Sequence, residues 1–150
     1  MKNIFRRGPK GQVSVEYLII VALAMAIIVP GAVLFYNYAN ESNEKISASQ
    51  INKIGKNIVS QAEDIYTIGK NSWTTIEASF PEPVTKAYIL DNELVIKYDT
   101  SRGPTEAVFF SDVPIQGGFS GGNISSAFHT GFMSVKIESL GSSVLISEVS

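Results

Sequence analysis

The chain changes its hydrophobic pattern three times. A short polar and basic opening, MKNIFRRGPKG, gives way to QVSVEY and then LIIVALAMAIIVPGAVLFY, and no charged residue occurs from Tyr17 through Asn40. The uncharged stretch from Tyr17 to Tyr36 is long enough, at about 1.5 Å per residue, to span about 30 Å as a helix, the thickness of a bilayer's hydrocarbon core. Pro30-Gly31 lies inside it. A proline removes one helical donor and crowds the preceding turn, so a kink is expected there, of a kind tolerated within a membrane.

Beyond Tyr36 the pattern becomes amphipathic. Ile51, Ile54, Ile58, Ala62, Ile65 and Ile68 recur at spacings of three and four, which marks one face of a helix. Glu41 and Lys45 form an i,i+4 pair in the favourable order. Gly55 weakens the helix by about 1 kcal/mol relative to Ala. Gly69 and Asn71 supply a stop. One helix from about Val13 to Ile68, on the order of 85 Å long, is the expectation.

From Trp73 onward the period shortens to two. TTIEASF, TKAYIL, ELVIKYD and EAVFF read as strands, with Asp91-Asn92 as a two-residue hairpin turn. HTGFMSVKIES and SSVLISEV read as a second hairpin across Leu140-Gly141. The predicted fold class is α+β: a long N-terminal α-helix followed by a small antiparallel β head domain. Its segments are a basic stretch at 1–11, an apolar helix of membrane-spanning length at 12–36, an amphipathic stem at 37–72 and a β-rich head at 73–150.

Charge adds an orientation. Charged residues are only 17% of the chain, below the usual quarter, and the shortfall lies in the apolar stretch. Lys2, Arg6, Arg7 and Lys10 precede that stretch with no acid among them, so the N-terminus should stay cytoplasmic and the bulk lie outside. The remainder carries 8 Lys and Arg against 14 Asp and Glu, or −6, which argues against nucleic-acid binding. There is no cysteine, hence no disulfide framework and no thiolate chemistry.

Candidate chemistry is sparse. His129 is the one histidine and anchors neither a zinc site nor a nucleophilic triad by itself. GGFSGG lacks the Gly-Lys-Ser/Thr ending of a phosphate loop and reads as a flexible surface loop. Asp91-Asn92-Glu93 and Asp99-Thr100-Ser101 do not have calcium-loop spacing. No residue is assigned a catalytic role, and no cofactor or metal is expected. Asn40-Glu41-Ser42 and Asn123-Ile124-Ser125 are acceptor sequons for N-glycosylation, and Asn123, away from the helix, is the better placed.

The specific signal is Lys10-Gly11-Gln12-Val13-Ser14-Val15-Glu16, set directly before the apolar run. It resembles the leader junction of archaeal type IV pilins, in the class III type whose mature chain begins with Gln. The resemblance implies that a prepilin peptidase cuts between Gly11 and Gln12, with Lys10 and Gly11 as its recognition pair. Ser14 and Glu16 match the family's polar third and acidic fifth mature positions. Glu16 would meet the new α-amino group of a neighbouring subunit during assembly. The implied partners are identical subunits in a helical filament, the peptidase, and an assembly ATPase with its membrane platform. The implied course runs from cell membrane to an extracellular adhesive filament. Pro9 departs from the pattern just before the Lys-Gly pair. The resemblance is strong over 10–36 and only architectural beyond.

Three other readings use the same residues. A cleaved secretory signal would be cut near Ala22-Leu23-Ala24 or Ala24-Met25-Ala26, but apolar residues continue through Val29, where such a region should turn polar. A single-pass anchor that never polymerises fits the hydropathy but not the junction. A minor pilin or pseudopilin of a secretion machine shares the junction.

Overall fold

The computed structural model describes residues 10–149, with side chains described from Val13. One helix, α1 (Lys10–Ile68), precedes seven strands: β1 (Trp73–Phe80), β2 (Val84–Leu90), β3 (Glu93–Thr100), β4 (Gly103–Phe110), β5 (Ile115–Gly117), β6 (Gly131–Ser139) and β7 (Val144–Glu148). The α+β expectation holds. The chain divides into two compact units, Met1–Asn43 and Glu44–Ser150, and α1 contributes to both. The expected stem is therefore shared, because its residues from Glu44 onward belong to the same unit as the strands.

In the first unit the helix continues through Pro30 as one element. The missing proline donor leaves the Ala26 carbonyl without its usual i+4 partner.

In the second unit the helical face packs as its period predicts. Ile51, Ile58, Ala62 and Ile65 are buried and Ile54 is half-buried. Val59 joins them. Ile68 corrects the expected face, because it is the last helical residue and is 73% exposed. Spacing marks a face but cannot mark where the covering strands stop. Gly69 (φ 111°) and Asn71 (φ 68°) take left-handed backbone at the stop. The Ser72 hydroxyl lies 2.9 and 2.5 Å from the Ile65 and Gly69 carbonyls, beside the Gly69 N–H that donates to Ile65 O at 3.2 Å. Asn71 N–H donates to Ser139 O and Ser139 N–H to Ser72 O, which ties the helix end to β6.

The strands form a four-stranded sheet in the order β1-β6-β7-β5 and a three-stranded sheet in the order β2-β3-β4. All pairs are antiparallel except β5 with β7, which run parallel over three residues. That pair departs from the expected all-antiparallel head, since so short a strand carries no alternating pattern. Inward residues of the larger sheet (Phe80, Met133, Val135, Ile137, Val144 and Ile146) share one core with Ala87, Ile89, Leu94, Ile96 and Phe109 of the smaller sheet and with the helical face. Asp91 (φ 49°) and Asn92 (φ 66°) are both left-handed, as a tight two-residue hairpin requires. The second hairpin also forms: Leu140 N–H donates to Ser143 O at 2.8 Å.

Gly55 has a packing reason that propensity conceals. A β-carbon there would run into the Phe109 ring. The helix gives up about 1 kcal/mol of propensity so that an edge-strand aromatic can lie against its backbone. Two helical carboxylates hold the same hairpin. Glu44 Oε1 accepts from Ser101 N–H at 2.7 Å, in the β3–β4 turn, and Glu63 Oε1 accepts from Asp112 N–H at 3.1 Å, just past β4.

Candidate functional site

The most unusual surface of the chain is the helix from Val13 to Tyr38. Every large apolar side chain in that stretch is at least 55% exposed, apart from half-buried Val21. Apolar residues point to all sides, because successive residues advance about 100° around the axis and almost all here are apolar. Such a helix has no polar face to turn to water. By length and composition it is long and apolar enough to cross a membrane. The small residues Ala22, Ala24, Ala26, Gly31 and Ala32 lower its profile, which permits close approach of another helix.

Ser14 and Glu16 stand in the first turns of this helix and are exposed. Glu16 is the only charged residue from 13 to 40. A carboxylate at the end of an apolar run is costly in lipid unless it is paired or held at the headgroup level. The backbone of Lys10, Gly11 and Gln12 forms the start of α1, while their side chains and residues 1–9, including most of the expected leader, lie outside the described residues.

The two sequons differ in setting. Asn40 is an exposed helical residue. Asn123 is half-buried: its Nδ2 donates to Ser120 O at 2.8 Å, and its Oδ1 is buried without a partner. Ser125 is also buried. Attachment of a sugar to Asn123 would have to displace these contacts, whereas Asn40 has no such barrier.

The glycine loop lies at the surface, with Gly118, Ser120 and Gly121 exposed, and its backbone packs closely at two points. A β-carbon at Gly122 (φ 74°) would strike the Ile89 carbonyl, and one at Gly117 would strike the Gly122 carbonyl. Gly118 N–H donates to Ile146 O at 2.9 Å. The glycines are there because backbone passes against backbone. Phe119 at its centre is half-buried.

Sequence reasoning missed a polar cluster in the head. Glu148 on β7 takes Ser125 Oγ–H on Oε2 and His129 Nε2 on Oε1, the latter at 2.9 Å. The carboxylate stands between hydroxyl and imidazole, so the arrangement does not activate the serine as a nucleophile. No spacing rule marks such a cluster in a sequence: Glu148 lies 23 residues from Ser125 and 19 from His129, and only the fold brings it to them. Among the described residues no group of three His, Asp or Glu side chains converges as metal ligands would.

Comparison with known proteins finds no match among family models, curated proteins or solved structures.

Proposed function

We propose that this chain is the structural subunit of an extracellular type IV pilus-like filament, used for surface adhesion. The observation that carries the reading is an all-round apolar helix, exposed among the described residues, set directly behind Lys10-Gly11-Gln12 and the Ser14 and Glu16 positions. An ordinary secretory signal loses its apolar stretch on cleavage. Cleavage between Gly11 and Gln12 keeps it. The helix then serves twice, first as a membrane anchor with its N-terminus cytoplasmic, later as filament core among identical helices. Moving from lipid to neighbouring helices exchanges one apolar surround for another, so no large hydrophobic penalty opposes the step.

In this reading chemistry is done on the protein by a prepilin peptidase and an assembly ATPase, and not by it. Glu16 sets register by meeting the α-amino group of Gln12 in a neighbouring subunit, since desolvation offsets much of the attraction between two such charges.

The test is the N-terminal sequence and mass of the protein taken from its own cells. Loss of residues 1–11 alone is the expected result. A mature chain starting after Ala24 or Ala26 removes the proposal, and an uncleaved chain that never polymerises favours a simple anchor.

A further inference from the structure

We infer that residues 123–130 form a proton-tightened strap over the free edge of β2, latched to the C-terminal strand through His129 and Glu148. β2 pairs with β3 on one side only. Its other edge is met by the strap: Tyr88 bridges Asn123, and Ile124 N–H donates to Ala87 O at 3.3 Å. An uncovered strand edge is a template for pairing with another chain, so what covers it governs association.

The strap is held at three points. Ile124 is fully buried and acts as its plug. Phe128 sets its ring edge-on to Phe80, with centroids 5.2 Å apart. The third point is β7. Glu148 N–H donates to Ile124 O at 2.6 Å, and the Glu148 carboxylate takes both the Ser125 hydroxyl and the His129 ring. The Ser125 oxygen in turn accepts from Ala127 N–H at 3.1 Å.

The imidazole makes this third point sensitive to protons. Its Nδ1 faces Thr130 O at 3.1 Å and its Nε2 faces the carboxylate at 2.9 Å. Both neighbours are acceptors. A neutral ring carries one N–H and satisfies one of them, and only the imidazolium satisfies both. The Thr130 carbonyl, and then Glu148, accordingly hold the His129 pKa above its ordinary value. Among the described residues two charged groups face the cluster: Glu148 from β7, and Lys86 from β2, which lines the same recess as Ser125 and Phe128. The Lys86 ammonium is turned over the Tyr88 ring at 5.1 Å, which leaves Glu148 as the charge on the ring.

The sign follows. A raised value in the latched form means that the latch is complete below the ordinary histidine pKa of about 6.5 and fades as pH rises through the higher, latched value. Acid tightens the strap, and mild alkali loosens it and bares the β2 edge.

The full chain in detergent micelles provides the test. His129 is the only histidine, so its ring signal in a magnetic-resonance titration needs no assignment. Amide hydrogen exchange, corrected for the intrinsic effect of pH, reads strap opening in parallel. The ring should titrate above about 6.5. Protection of residues 123–130 should fall through the same midpoint, about tenfold for each unit by which that midpoint is raised, while β3 stays unchanged. Glu148→Gln should lower the midpoint. His129→Gln, at a side chain that is half exposed, should leave the strap poorly protected at every pH while protection of β3 is unchanged. Strap protection that stays flat across the histidine titration, or a midpoint indifferent to Glu148→Gln, overturns the inference.

Discussion

At the scale of single residues, Glu16 separates a filament subunit from a simple anchor. In an anchor, Glu16→Leu lengthens the apolar run and is tolerated. In a filament it strands the amine of Gln12 among apolar helices. Removing one partner of a desolvated pair costs roughly 3–5 kcal/mol, more than the pair itself contributes. The expected outcome is normal membrane insertion and leader cleavage with filaments lost, read by a membrane-fraction blot beside electron microscopy of cell surfaces. Normal filaments from the Leu variant would remove the register role. Residues of this kind were legible because Glu16 breaks a uniform context. The Ser125–Glu148–His129 cluster was not, since Glu148 is distant in sequence from the other two and each has an ordinary local setting. Gly55 was legible as a weakness of the helix but not as the seat of Phe109, which only packing shows.

Among the elements, α1 shows both the strength and the limit of periodicity. The isoleucines from 51 to 65 were placed correctly by spacing because burial repeats with the helical turn. Ile68 obeys the same spacing and is exposed. Ile58→Ala should therefore destabilise the second unit by about 2–5 kcal/mol, by removing buried methylenes and leaving a cavity. Ile68→Ala should stay within about 0.5 kcal/mol. Denaturant melts of both variants in the same detergent decide the point, and equal losses would mean that the buried face is drawn wrongly. The hairpins were legible through turn chemistry, since Asp91-Asn92 tolerates left-handed backbone. β5 was not, because its three residues gain their pairing from β7, late in the chain.

For the whole molecule, the division after Asn43 separates a helix with exposed apolar side chains from a unit with its own core. Residues 44–150 hold a continuous apolar core, whereas the apolar side chains of 13–38 have none. A fragment of residues 44–150 should be soluble and monomeric by sedimentation and should melt cooperatively. The mature chain should require detergent or form filaments. Filaments grown from the fragment alone would show that the helix is not the polymerising element. The head also shows a partly apolar outer face, where Leu90, Val108 and Phe110 are exposed on the β2-β3-β4 sheet.

The two carboxylates on α1 have a mechanical consequence. Glu44 and Glu63 lie nineteen residues apart, about 28 Å along the axis, and grip opposite ends of one strand. A pull along the helix loads both grips, and the buried isoleucine face between them, in shear and at once. A pull across it would instead peel them one after another. Tension running lengthwise through the head thus meets its strongest direction, as a lap joint resists sliding better than it resists prying.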